Sequence, residues 1–564
     1  MEILQIKNLS FRYPEMQEYA LKDITLNIKS GEFVLLCGET GCGKTTLLRM
    51  LKRELSPYGI KEGNILFGDV EQDELDSVSA TSDIGFIFQN PEGQIITDKV
   101  WHELAFGLES LGLPSQVIRR RVGEMSSYFG ISDWFHEKTS SLSGGQKQIL
   151  SLASILVMQP KLLLLDEPTG QLDPIAASDF ITTVQKLNKE TGITVIMVEH
   201  RLEEIFPIAD RVIVMDKGSI TVDSSPREAA KILSSRNHPM IYGLPSAVRI
   251  YNMLSESLTN NMGCPLTVRE GRNFLSDNFT NEINAIKIEK PLLNSQKIIE
   301  MTDVCFRYER QSPDILKSFE LSVCKGEILS ILGANGSGKT TALNVIAGLL
   351  KPYRGTVKIN NTKLKEYRNN SLYKNNLALL PQNPQTVFVK DTVCEDLEEI
   401  CLASGLKKDD IKEAVDAVAE KTGIAHLLSK HPYDLSGGEQ QKAALAKMLL
   451  LNPKIILLDE PTKGIDARSK KSIGDTLTAL KKDGITIVMV THDIEFAANI
   501  SDRCALFFDG EITSCDTPSV FFADNSFYTT AANRISRHIY KNAVTCEDVV
   551  SLCHKNKKQD NRHD

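Results

Sequence analysis

The 564-residue chain has no run of about 18 consecutive apolar residues, so no transmembrane helix is expected. Its start, Met1-Glu2-Ile3-Leu4-Gln5, lacks the basic-then-apolar pattern of a signal peptide. Among its eleven cysteines there is no C-x-x-C pair, and several, such as Cys37 and Cys305, sit inside apolar runs. Reduced thiols in a cytosolic protein are therefore expected, not metal ligands or disulfides. Positive charge is not in excess. The net charge of −8 argues against broad nucleic-acid binding by charge alone, and leaves room for a local basic patch. What remains is a soluble composition, 41% apolar and 24% charged, in a chain long enough for several domains. A membrane partner is compatible with all of this.

The first thing present is a glycine-rich stretch, Gly38-Glu39-Thr40-Gly41-Cys42-Gly43-Lys44-Thr45-Thr46. It follows an apolar run at 33–37 and opens a helical pattern. Strand, glycine turn and helix in that order match G-x-x-x-x-G-K-S/T, a cradle for nucleotide phosphates. Backbone N–H groups and a helix N-terminus converge there on phosphate oxygens. Gly41 and Gly43 clear the approach, Lys44 adds charge, and the Thr45 hydroxyl is a candidate Mg²⁺ ligand. The device occurs again as Gly333-Ala334-Asn335-Gly336-Ser337-Gly338-Lys339-Thr340-Thr341.

More than the loop is repeated. Phe11-Arg12-Tyr13 recurs as Phe306-Arg307-Tyr308, Gln89 as Gln382, Ser143 as Ser436, Asp166 as Asp459 and His200 as His492. The separation is nearly constant and far too long for a solenoid repeat. It predicts two independently packed α/β units. In the first, residues 1–35 read as alternating strands and residues 95–155 as mostly helical. The continuous apolar runs 161–166 and 194–198 read as parallel strands buried on both faces, and 211–216 as a further strand. Between the units, Val248, Tyr251, Leu254 and Leu258 have helical spacing, and Thr267 to Glu270 resembles a capping box. Residues 278–294 are the candidate linker. Residues 543–548 open a short helix, and the polar tail 555–564 is expected to be disordered. The domain reading is 1–235, a helical extension and linker at 236–297, 298–525, and a helical extension with tail at 526–564.

Two more motifs carry chemistry. Leu164-Leu165-Asp166-Glu167-Pro168-Thr169 is echoed by Leu457-Leu458-Asp459-Glu460-Pro461-Thr462. A carboxylate ending a buried strand suits Mg²⁺, the role read for Asp166 and Asp459. The adjacent Glu167 and Glu460 are placed to polarise an attacking water. Ser143-Gly144-Gly145 and Ser436-Gly437-Gly438 each open a helix and form a second anion site. One phosphate-binding fold needs one cradle, so a second implies a second surface.

With these motifs the chain resembles ATP-binding-cassette ATPases over nearly its whole length. The resemblance implies an α/β fold of two tandem P-loop NTPase cassettes, each with a helical subdomain and a small C-terminal helical extension. It implies ATP and Mg²⁺ as cofactors. ATP would lie between the Lys44 loop and Ser436, and between the Lys339 loop and Ser143, so the cassette pair is intramolecular. Implied ATP contacts are Tyr13, Gly38, Gly41, Gly43, Lys44, Thr45, Thr46, Gln89, Ser143, Gly144 and Gly145. The second set is Tyr308, Gly333, Gly336, Gly338, Lys339, Thr340, Thr341, Gln382, Ser436, Gly437 and Gly438. Implied Mg²⁺ positions are Thr45, Gln89, Asp166, Thr340, Gln382 and Asp459. Implied catalytic residues are Glu167, Glu460, His200 and His492. The tyrosines match an adenine-stacking aromatic, although a strand tyrosine packing on its neighbours has the same appearance. Asp173 and Asp466 match a loop that crosses the cassette dimer; the usual small serine before them is missing.

Three subfamilies carry two cassettes on one soluble chain. Sugar-importer ATPases usually lose catalytic residues in one half, whereas both halves here keep Lys, Asp, Glu and His. Ribosome-associated translation factors commonly have basic linkers, whereas Glu270, Asp277, Glu282 and Glu289 lie in this one. The stretches Phe88-Gln89-Asn90-Pro91-Glu92-Gly93-Gln94 and Gln382-Asn383-Pro384-Gln385 resemble energy-coupling-factor ATPases, as does the segment at Pro265-Leu266-Thr267. That resemblance implies a peripheral protein on the cytoplasmic face of the membrane. It would power uptake of a vitamin or transition-metal ion through a transmembrane coupling subunit and a substrate-binding membrane protein. No nucleic-acid partner is expected. Glu92, Glu103, Glu395 and Asp396, just after the two glutamines, are candidate acceptors for arginines of a coupling helix.

Overall fold

A computed structural model describes residues 1–14, 16–255, 263–280, 296–368 and 371–557. The linker candidate from 281, Leu258 and the tail from 558 lie outside the described residues. Contacts divide the chain into two compact units. One holds Met1–Pro245, and the other holds helix Ser246–Ser255 with the chain from Thr267 onward.

In the first unit a six-stranded sheet runs in the order Ser219–Ser224, Arg211–Asp216, Phe33–Gly38, Thr194–Val198, Leu162–Asp166, Ile84–Ile87. All pairs are parallel except the edge pair 219–224 with 211–216. The runs 162–166 and 194–198 are buried at every position. A strand covered on both faces needs an unbroken apolar run, and that is what the sequence supplies. Beside this sheet lies a four-stranded antiparallel one, in which Leu21–Lys29 alternates buried and exposed because one face is wet. Helices Val100–Ser110, Ser115–Tyr128 and Gly144–Leu156 close over a separate core that includes Leu104, Leu108, Leu150 and Val157.

The second unit repeats the plan. Its six-stranded sheet puts Ile328–Leu332 between Thr486–Thr491 and Arg503–Phe508, with Ile455–Asp459 next to 486–491. Its helical part comprises Val393–Ser404, Lys408–Thr422 and Gly437–Leu449. This unit carries a further helical body. Helices Ser246–Ser255 and Val268–Asn278, from before the second cassette, share one core with Ala531–Ser536 and Cys546–Lys555, from after it. Ile250, Leu254, Phe274, Leu275, Ile535, Tyr540, Val549 and Leu552 fill that core. Thr267 and Thr545 cap their helices by accepting from the backbone N–H of Glu270 and Asp548. A pair of helices this short buries too little surface alone, so the two sequence-distant pairs complete each other.

Candidate functional site

Each glycine-rich loop leaves the end of a central strand and turns into a short helix, Lys44–Met50 or Lys339–Ile346. The turn requires glycine just before the lysine. Gly43 has φ of 101°, and a Cβ there would lie 2.5 Å from the carbonyl oxygen of Ala20. Gly338 has φ of 110°, with a Cβ 2.6 Å from Ile315. Both lysines are buried. Lys44 Nζ donates to the carbonyls of Gly38 (3.0 Å) and Glu39 (2.8 Å), and Lys339 Nζ to those of Gly333 (2.9 Å) and Ala334 (2.8 Å). An ammonium turned into its own loop on neutral carbonyls is poised for an anion, so the loops fit a nucleotide phosphate.

The next residue joins the loop to the acidic strand end. Thr45 Oγ1 donates to Asp166 at 3.1 Å, and Thr340 Oγ1 to Asp459 at 3.0 Å. Burial pushes both carboxyls up to about 6; the neighbouring Glu167 and Glu460 add to this. A hydroxyl and a carboxylate are hard oxygen donors, and a carboxyl raised by burial gains from a cation. The pairs therefore fit Mg²⁺. Among the described residues no cluster of three His, Cys, Asp or Glu ligands exists. Mg²⁺ completed by phosphates and water does not need one.

Glu167 and Glu460 follow in the left-handed region, with φ of 47° and 49°. They are held differently. Glu167 accepts Gln89 Nε2 at 2.8 Å, and His200 Nε2 lies 2.8 Å from its other oxygen. Glu460 accepts the backbone N–H of His492 at 3.2 Å, and His492 Nδ1 lies 2.8 Å from the same carboxylate. Burial alone would raise the Glu460 carboxyl, but the bond and charge of His492 outweigh it and hold the group below the usual range. Gln382 makes no hydrogen bond among the described residues, so it does not repeat the contact of Gln89. Tyr13 and Tyr308 stand beside the loops, with hydroxyls 3.2 Å from Thr46 Oγ1 and 3.0 Å from Thr341 Oγ1.

The Ser-Gly-Gly segments lie away from these groups in sequence and open helices Gly144–Leu156 and Gly437–Leu449. Ser143 is paired with Gln146: its N–H donates to Gln146 Oε1 at 2.9 Å, and its Oγ accepts the N–H of Gln146 at 3.3 Å. In the second unit the Ser436 hydroxyl donates to Glu439 at 2.7 Å. Asp173 and Asp466 cap the helices that follow, accepting from Ala176 and Ser469 N–H.

Two of the acids assigned to a coupling helix are internal. Glu103 is buried and accepts the N–H groups of Ile96 and Thr97 at 3.1 and 2.8 Å. Asp396 is fully buried, accepts the N–H of Val389 at 3.1 Å, and pairs with buried Lys447 at 2.7 Å. Both carboxylates fold the loop after the glutamine instead of waiting for a partner. Glu92 is exposed and paired with Lys147 at 2.6 Å; Glu395 is exposed in a first helical turn.

Sequence reasoning missed Glu199. It is buried beside His200, its carboxyl is raised by burial, and it accepts the N–H of Thr169 at 2.9 Å. The signal was available, since Thr491 occupies the corresponding place before His492.

The profile described as ABC transporter matches residues 21–170 and 316–463. An ABC transporter ATP-binding protein of Bacillus thuringiensis subsp. konkukian is 42% identical over 555 residues, covering 97% of this chain and 98% of its own. YkoD of Bacillus subtilis, described as an HMP/thiamine import ATP-binding protein, is 31% identical and covered to 93% on both sides. A solved structure, cbiO1 from Clostridium perfringens, part of the ABC transporter complex cbiONQ, is 33% identical over 42% of this chain and 95% of its own, with a TM-score of 0.38. Two profile matches, each spanning one phosphate loop and one acidic strand end, and relatives aligned from end to end place the chain in the ABC transporter family, as an ATPase with two ATP-binding cassettes in tandem.

Proposed function

We propose that the chain is the ATPase of an energy-coupling-factor importer for a vitamin or a transition-metal ion. The observation that carries this reading is the end-to-end relative described as an HMP/thiamine import protein, together with two complete residue sets on one chain. ATP binds at two composite sites, the Lys44 loop with Ser436 and the Lys339 loop with Ser143. Bound Mg²⁺ supplies positive charge to the β- and γ-phosphates. Lys44 and Lys339 turn from their carbonyls to the phosphates, and Thr45 with Asp166, and Thr340 with Asp459, hold the cation side. Glu167 and Glu460 accept a proton from the attacking water, while His200 and His492 orient those carboxylates. Tyr13 and Tyr308 support the adenine.

Among the described residues no helix is long and apolar enough to cross a membrane. On this reading the chain acts from the cytoplasmic face on a transmembrane coupling subunit and a substrate-binding membrane protein. Affinity isolation from detergent-solubilised membranes tests it. Two integral membrane proteins in stoichiometric amount are expected. Co-sedimentation with ribosomes in ATP, with no membrane partner, would contradict it and favour a translation factor.

A further inference from the structure

The helical body of the second unit carries a cleft that the ATPase chemistry does not use. Its volume is about 460 Å³, within the range of small-molecule sites, and it is lined by Val268, Arg269, Arg272, Asn273, Ser276 and His538. Five of these lie on helix Val268–Asn278 at helical spacing, so they share one face. The opposite face is packed: Gly271 leaves 3.1 Å for a Cβ against Ile535 and 3.2 Å against Ala247, and Phe274 and Leu275 are in the core. The helix's acids, Glu270 and Asp277, do not line the cleft.

Among the described residues the lining carries positive charge only. Exposed Arg269 and Arg272 have no hydrogen bond or carboxylate partner among the described residues, whereas half-buried Arg211 and Arg307 are paired with Asp223 and Asp314. Across the cleft, His538 Nε2 lies 2.7 Å from Ser276 Oγ. Burial, helped by the charge of Arg272, lowers the readiness of His538 to take a proton. Two unpaired guanidinia beside a hydroxyl and an amide form a set of donors suited to an anion. Guanidinium forks suit phosphate geometry.

We infer that this cleft binds a phosphate-bearing anion, held by Arg269 and Arg272, with the Ser276 hydroxyl as a further donor when His538 Nε2–H donates to its oxygen. The site lies in the helical body, apart from both phosphate loops in sequence, and so offers a place for a small phosphate compound or an anionic lipid headgroup to act on the ATPase.

The test titrates pyrophosphate into the full chain after saturation with Mg²⁺ and a non-hydrolysable ATP analogue, so that the phosphate loops are filled. One further equivalent is expected to bind, and to bind at least about tenfold more weakly in Arg269→Ala/Arg272→Ala. The ring resonance of His538 should shift on titration in the wild type and stay in place in the variant. Vesicles of phosphatidylcholine with phosphatidylglycerol form the second arm. Arginine-dependent vesicle binding assigns the phosphate to a headgroup, and pyrophosphate binding without it assigns a soluble compound. Absence of both, or pyrophosphate binding that the double variant leaves unchanged, overturns the inference. Basal ATPase activity should be unaltered in the variant. Failure of the importer assignment would leave these results unaffected.

Discussion

At Asp166 and Asp459 the chemistry turns on proton occupancy. Each folded carboxyl titrates near 6 because burial disfavours its charge. A raised carboxyl contributes stability that is fully present below its unfolded value near 4 and is lost as pH rises through 6. Nucleotide-free protein should therefore be less stable at pH 8 than at pH 5 by on the order of 1–3 kcal/mol per site. Asp166→Asn should remove its share of that loss. Urea titrations at both pH values check this, and Mg²⁺ with ATP should cancel the difference at pH 8. The glutamates behave otherwise. Glu167→Gln with Glu460→Gln should keep ATP binding and lower turnover by at least about a hundredfold. A steady-state rate near wild type would exclude them as bases. Ser436 is a finer case: Glu439 holds its hydroxyl hydrogen, a contact that Gln146 does not make with Ser143. Nothing in the run of letters separates these two caps beyond Gln against Glu.

Among the elements, the helices and loops that frame the site were unequally legible. Strands 162–166 and 194–198 could be read at once, because burial on both faces demands an unbroken apolar run. The phosphate loops were legible because glycine, lysine and threonine have fixed offsets. The acids after the glutamines were not. A carboxylate in a charged-looking helix start has the same appearance whether it faces a partner or accepts loop N–H groups, and Glu103 and Asp396 do the latter. Asp396 with Lys447 ties helix Val393–Ser404 to the Ser-Gly-Gly helix Gly437–Leu449. Lys447→Ala leaves a buried carboxylate unpaired and should cost about 3–5 kcal/mol. Chemical denaturation measures it. Gln89 predicts a functional asymmetry. It reaches Glu167 while Gln382 makes no such contact among the described residues, so Gln89→Ala should disturb the first base more than Gln382→Ala disturbs the second. Single-site rates in Glu460→Gln and Glu167→Gln backgrounds compare them.

For the molecule, duplication was plain in the sequence, whereas the shared helical body was not. Residues 246–278 and 531–555 stand on either side of a whole cassette, and their apolar faces have the same spacing any amphipathic helix would show. Only packing reveals that Ile250 and Phe274 complete a core with Ile535 and Val549. If the proposed composite sites exist, fusion on one chain would hold the two cassettes at high effective concentration, so that both ATP sites form without a second copy. The most direct test is nucleotide trapping in the Glu167→Gln/Glu460→Gln chain, with mass measured on the trapped species. A single chain holding two ATP molecules is expected. Trapping that occurs only in a particle of two chains would contradict it.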